Sequence, residues 1–252
     1  MRQDVTSLER FYTTPLGRAA ARSLAGRIAS LWGSLEGEHL LGTGFATPVL
    51  GAFGASAESC IAAMPASQGA LIWSANADRG ISTALVEDNR LPFKDGVVTR
   101  VILMHGLEET HAPSIMLREI WRVMAPEGRL IVIASNRLGL WARAESTPFG
   151  HGRPWTRSQL TRLLHESLFQ TTAWTHGLHM PPTGWAPIFS LHETLERLGE
   201  TVSRVMGGVV LVEARKRLYA DTKGRAIEFG PARAVRARKG LARVPRDEAL
   251  DL

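Results

Sequence analysis

Residues with chemical potential fall in three places along this chain. The first is Gly42-Thr43-Gly44, which follows the apolar run His39-Leu40-Leu41 and precedes Phe45-Ala46-Thr47-Pro48. The order reads as strand, glycine turn and helix, with Thr47 as cap and Pro48 at the first helical position. Glycine lets a backbone approach a ligand with no Cβ between them; the same turn also serves as a plain strand-to-helix connector. A dinucleotide site wants G-x-G-x-x-G and an acid about 20 residues on. Here the sixth position is Thr47, and Trp73-Ser74 rather than a carboxylate ends the second expected strand. Nicotinamide and flavin chemistry are therefore disfavoured. The second place is His105, at the end of a buried apolar run; imidazole titrates near neutrality and suits proton transfer, although a strand-end histidine bonded to nearby backbone reads equally well. The third runs from Asn136 to Trp155. Arg143, His151 and Arg153 there suit a carboxylate or phosphate, and Trp141 or Trp155 can close a pocket; the alternative is a rigid Gly/Pro connector that satisfies its own backbone. His176, His179 and His192 straddle a proline-rich loop without nearby carboxylates, so no metal site is expected.

The elements that must position these residues alternate. Thr14-Pro15 opens a helix through Leu16, Ala20, Leu24, Ile28 and Leu31 that stops at Trp32-Gly33. Strands are expected at His39–Leu41, Ala70–Trp73, Ala84–Val86, Val97–Met104 and Arg129–Ala134. A helix is expected over Ser114–Met124, and Pro126-Glu127-Gly128 reads as a turn. Thr156-x-x-Gln159 and Ser190-x-x-Glu193 are capping boxes, the second opening a helix to Leu198. Phe169–Trp174 and Val209–Val212 complete the strands, and Pro181–Pro187 reads as a loop. Strand–helix alternation over most of the length implies a doubly wound α/β sheet. The organisation expected is an N-terminal helical segment over 1–35, an α/β domain over 36–215 and a basic tail over 216–252.

Composition sets the outer limits. The 252 residues can bury a substantial core. Cys60 is the only cysteine, which removes internal disulfides and thiolate clusters. No apolar run is long enough for a transmembrane span, and the charged start does not resemble a secretion signal; a cytoplasmic setting is expected. Residues 214–252 hold 11 Lys/Arg against 5 Asp/Glu, which accounts for the whole net charge of +6. Such a tail suits RNA, acidic lipid or an acidic protein, or is simply a solvated terminus.

One stretch carries a family likeness. Val86-Glu87-Asp88-Asn89-Arg90-Leu91-Pro92-Phe93-Lys94-Asp95 precedes the run ending in Met104-His105. After that comes Leu117-Arg118-Glu119-Ile120-Trp121-Arg122-Val123-Met124-Ala125-Pro126-Glu127-Gly128-Arg129-Leu130. In this order and spacing they resemble the class I S-adenosylmethionine-dependent methyltransferases of the type 11-like bacterial group, over residues 36–136 and more weakly to about 215. The resemblance implies a Rossmann-like, doubly wound, seven-stranded sheet with its last strand antiparallel, Phe169–Trp174 and Val209–Ala214 forming the final pair. It implies S-adenosylmethionine across the first two strand ends. Gly42, Thr43 and Gly44 would approach the methionine half, and Trp73 and Ser74 would flank ribose and adenine. Glu87 or Asp88 would accept from the adenine amino group, and Met104-His105 would line the mouth where the methyl is passed, with His105 as base.

Three positions depart from the family pattern: Leu40 and Trp73 stand where acids are usual, and Ala46 replaces a third glycine. Losing a carboxylate–diol contact at about 1.5–3 kcal/mol per bond would weaken binding by roughly one to two powers of ten; stacking on Trp73, on the order of 1–3 kcal/mol, would offset part of it. No Asn/Asp-Pro-Pro-Tyr run follows the fourth strand, so an amide or exocyclic amino acceptor has no positive support. Three readings follow: a methyltransferase for a small-molecule or protein-borne acceptor, a non-catalytic methyltransferase-like binding or scaffold protein, and an RNA-directed enzyme using the tail from Arg215 to Arg246.

Overall fold

A computed structural model describes residues 2–76, 80–183 and 207–217. Two helices open the chain: α1 (Val5–Thr13) and α2 (Pro15–Trp32). Asp4 caps α1 by accepting from the Ser7 N–H, and Thr14 caps α2 by accepting from the Gly17 N–H, with Pro15 inside the first turn as expected. Val5, Leu8, Phe11 and Tyr12 form the buried stripe of α1, an element absent from the expected order.

Then follow β1 (His39–Gly44), α3 (Thr47–Leu50), β2 (Ser59–Pro65), β3 (Thr83–Val86), β4 (Val98–Met104), α4 (Pro113–Val123) and β5 (Met124–Ser135). The remainder is α5 (Arg157–Glu166), β6 (Phe169–Gly177) and β7 (Val209–Lys216). All seven strands make one sheet in the order β3-β2-β1-β4-β5-β7-β6. β1 to β5 pair in parallel, and β7 runs antiparallel between β5 and β6. The fold is therefore the Rossmann-like α/β sheet expected, with its last strand reversed.

Alternate residues of the central strands feed two cores. Ile102 and Met104 of β4 and Ile131 and Ile133 of β5 pack toward α1, α2 and α3. Val101, Leu103, Leu130 and Val132 pack toward α4 and α5 on the opposite face. Covering both faces is what a parallel sheet requires.

Four local expectations change. The second strand is Ser59–Pro65, and Ala70–Trp73 is irregular. Cys60, Ala62 and Ala63 are small and lack β-branched bulk, so the strand carries little periodic signal of its own, yet β1 and β3 flank it and fix it. Thr47 does not cap α3: Ala46 takes the cap position without a side-chain bond, and the helix lasts only four residues. The Pro126–Gly128 turn is absorbed into β5 as an irregular start, with Glu127 at φ 61° and a register shift against β4. The strand β7 continues through Lys216. Arg215 pairs with Glu127 at 3.1 Å, and the buried Lys216 ammonium donates to Met124 O at 2.6 Å; neither is a solvated tail cation. The capping box at Thr156 and Gln159 forms as expected. The expected helix from Ser190 to Leu198, His192, most of the Pro181–Pro187 loop and the tail beyond 217 lie outside the described residues.

Candidate functional site

In the strand order, the chain reverses direction between β1 and β4, and ligands of open α/β sheets bind outside the carboxyl ends at that reversal. Gly44 sits there at φ +79°, and a Cβ on it would lie 2.1 Å from Met104 O. The Phe45 N–H donates to the same carbonyl at 2.7 Å. At Gly42 a Cβ would lie 2.3 Å from Leu50 Cδ1. The turn is thus held flush against the end of β4, with Thr43 and Met104 buried. Both glycines are required by the chain's own packing.

His105 follows Met104 at φ 51° and is buried. Its Nε2 lies 2.7 Å from the Tyr12 hydroxyl, a pair 93 residues apart in sequence. Phe45 stacks on Tyr12 at 6.0 Å between ring centroids, and Phe149 lies 4.7 Å from His105. Burial pushes the imidazole down to about 3 and the Tyr12 phenol well above its ordinary value, the nearby Glu108 adding to the latter. The pair is neutral across the physiological range.

Glu108 is buried behind this pair; its Oε1 accepts from the Ser135 N–H at 2.9 Å, and Oε2 has no hydrogen-bond partner among the described residues. Burial raises this carboxyl to about 7 against that hydrogen bond.

At the ends of β2 and β3 the N-terminal segment closes over the sheet. Arg2 Nη1 donates to Asp88 Oδ2 at 2.5 Å and to Ser67 Oγ at 2.9 Å, and its Nε stands 3.7 Å from Glu109 Oε2. The Gln3 N–H donates to the Glu109 carboxylate at 3.0 Å, and the Val5 N–H donates to Gln68 O at 2.9 Å. Under this segment Asp88 Oδ1 and both amide atoms of the Gln68 side chain are buried without a hydrogen-bond partner among the described residues.

Beside the glycine turn lies a cavity of about 420 Å³. Tyr12, Phe45, Leu71 and Trp73 line it with Thr47 and Pro48, and the exposed Glu9, Arg18 and Arg22 stand at its edge.

The structure thus sorts the residues singled out from sequence. Gly42, Thr43, Gly44, Met104 and His105 meet at one point. Trp73 lines the cavity but from a loop, since β2 ends at Pro65. Ser74 spends its hydroxyl on Asn76 O and Gly80 O within its own loop. Glu87 is exposed and pairs through its backbone with Arg90, whereas Asp88 is engaged by Arg2. Trp141 is buried, donating Nε1–H to Met180 O at 2.8 Å, so it is core rather than a pocket lid. His151 Nε2 lies 2.8 Å from Glu145 O, and the Arg153 guanidinium sits over the Trp155 ring at 5.0 Å; both are tied within their own connector. Arg143 is exposed beside them. No cluster of potential metal ligands occurs among the described residues, and no helix there is long and apolar enough to cross a membrane.

Arg2, Tyr12, Gln68, Glu108 and Glu109 were not anticipated. Asp4 followed by apolar residues 5, 8, 11 and 12 is a legible helix signature, and Glu108-Glu109 directly after a buried strand is a visible acidic pair. Gln68 was concealed by the misplaced second strand.

Comparison with known proteins agrees with the fold. Residues 41–132 match a family model described as a methyltransferase domain. Among curated proteins no sequence match is found. Similar solved structures include an S-adenosylmethionine-dependent methyltransferase from Thermotoga maritima, 18% identical, with 84% of this chain and 96% of that one covered at a TM-score of 0.60. A chain of the complex between the Haloferax volcanii Trm112 methyltransferase activator and a methyltransferase is 16% identical, covering 83% and 91% at 0.56. The [4+2]-cyclase SpnF is 19% identical, covering 79% and 81% at 0.53, so this architecture also serves chemistry other than methyl transfer. The sheet order with its reversed β7 is the fold of the class I S-adenosylmethionine-dependent methyltransferases, and residues 41–132 match a methyltransferase domain.

Proposed function

We propose that the chain is an S-adenosylmethionine-dependent methyltransferase for a small-molecule acceptor lodged in the cavity beside Tyr12. The observation that carries this reading is the set of buried polar atoms at the ends of β2 and β3, the Gln68 amide and Asp88 Oδ1, that have no hydrogen-bond partner among the described residues. A buried polar atom left unpaired costs about 1–3 kcal/mol, and a nucleoside offers hydroxyl and amino groups that satisfy such atoms. Gln68 would hold the ribose in place of the usual acid, Asp88 would hold the adenine amino group, and the Gly42–Gly44 turn would face the methionine half. When bound, S-adenosylmethionine supplies a methyl group on a sulfonium that leaves readily, so alignment supplies most of the acceleration.

The chain's own residues provide that alignment. Tyr12, Phe45 and Trp73 give the cavity aromatic walls, and Arg18 and Arg22, one helical turn apart, place positive charge at its edge. Its volume of about 420 Å³ is suited to a small molecule. An aromatic or conjugated acceptor with an acidic group matches these walls. An imidazole held near 3 is a weak base, so His105 acts by orienting the Tyr12 hydroxyl, and acceptors that arrive with a free lone pair suit the site best.

Titration calorimetry with S-adenosylhomocysteine tests the reading. Saturable one-site binding is expected; absence of heat at millimolar ligand, in both the full chain and its Arg2→Ala variant, would sink it. One observation favours the second reading, a non-catalytic methyltransferase-like scaffold: Tyr12, Phe45, His105 and Phe149 pack together around the switch point, and Gly44 lies against Met104. That reading predicts no methyl transfer from S-adenosylmethionine to any acceptor even where the nucleoside binds.

A further inference from the structure

We propose that residues 2–13 are a tethered latch over the nucleoside crevice, with Arg2 as its bolt, and that the latch must lift for the cofactor to enter. This inference rests on the methyltransferase reading above and concerns the regulation of that site. Three strands are involved: the segment binds Ser67 and Gln68 beyond β2, Asp88 beyond β3 and Glu109 beyond β4. It therefore crosses the carboxyl edge where the fold places the nucleoside. Arg2 is almost completely buried there, its side chain 7% exposed, and offers Asp88 the hydrogen-bond donor that an adenine amino group would otherwise offer. Further along the segment, Val5 packs 3.1 Å from where a Cβ on Gly69 would sit, and the Tyr12 hydroxyl closes on His105.

The closure satisfies the crevice only in part. Among the described residues, Asp88 keeps one oxygen unpaired, Gln68 keeps its whole amide unpaired, and Nη2 of Arg2 has no hydrogen-bond partner. A fully stable cap would leave no such set behind. The arrangement instead leaves these polar groups unpaired among the described residues, and a ligand that pairs them competes directly with the segment. Apparent affinity is then reduced by the fraction of molecules in which the latch is lifted.

The experiment compares S-adenosylhomocysteine binding to the full chain, to Arg2→Ala, and to Arg10→Ala as a charge-matched control on an exposed position of α1. Amide hydrogen exchange at Val5 is followed in parallel. Expected are an affinity gain of roughly tenfold for Arg2→Ala, no change for Arg10→Ala, and faster exchange at Val5 when the full chain is saturated. Equal or weaker binding by Arg2→Ala, or exchange at Val5 that slows on saturation, overturns the latch while leaving the cofactor reading in place. No binding by any of the three proteins overturns both.

Discussion

Glu108→Gln is expected to stabilise the protein at alkaline pH while leaving it unchanged in acid. The carboxyl is buried, its Oε1 accepts from the Ser135 N–H at 2.9 Å, and burial raises it from an ordinary 4.5 to about 7. Because the folded-state value lies above the unfolded one, the neutral acid favours the folded state. That contribution is complete below pH 4.5 and is lost as pH rises through 7. At about 1.4 kcal/mol per pH unit, the span amounts to about 3 kcal/mol. Glutamine keeps the shape and the acceptor for Ser135 and does not ionise. Urea unfolding of both proteins at pH 4.5, 6, 7 and 8 should give matching free energies at pH 4.5 and an advantage to Glu108→Gln that grows to about 3 kcal/mol at pH 8. A difference that does not vary with pH would refute the argument, because it would mean that Glu108 ionises in the folded chain as it does in water.

His105 should act in the opposite direction. Burial lowers it to about 3, so its contribution is complete above pH 6.5 and is lost as pH falls through 3; His105→Asn, a residue tolerated at φ 51°, should flatten the acid limb of the unfolding profile. Tyr12→Phe leaves His105 Nε2 buried without its partner and should cost about 1–3 kcal/mol in urea unfolding. Gly44→Ala must adopt φ +79° with its Cβ against Met104 O; a loss of roughly 2 kcal/mol or more in thermal or urea unfolding is expected, accompanied by a displaced turn.

Much of the architecture is legible in the sequence because its central strands are fully buried. Val101 to Met104 and Leu130 to Ala134 are continuous apolar runs, and the segment from Glu87 to Gly128 fixes their order. β2 was not legible, since Cys60, Ala62 and Ala63 carry little strand signal and are held by neighbours on both sides. Placing it about ten residues too late put the expected ribose contact at Trp73, whereas the proposed one lies at Gln68, just past the end of β2. The glycine turn was legible as a turn, but its glycines answer to Leu50 and Met104 within the chain. The Tyr12–His105 and Arg2–Asp88 contacts join residues 93 and 86 apart, and local pattern holds no record of such pairs. The residue types of the Asn136–Trp155 block suit a pocket, but burial of Trp141 and the internal ties of His151 and Arg153 make it chiefly a packed connector.

The most direct test of the cofactor site is the affinity of Gln68→Leu for S-adenosylhomocysteine, measured by calorimetry beside its stability to urea. Leucine removes two buried polar atoms that have no hydrogen-bond partner among the described residues, so the variant should be at least as stable as the original. Its affinity should nevertheless fall by roughly tenfold or more, the loss expected for a hydrogen-bonding pair. A variant that binds the nucleoside as tightly as the original chain would contradict the assignment of the β2 and β3 ends as the cofactor site.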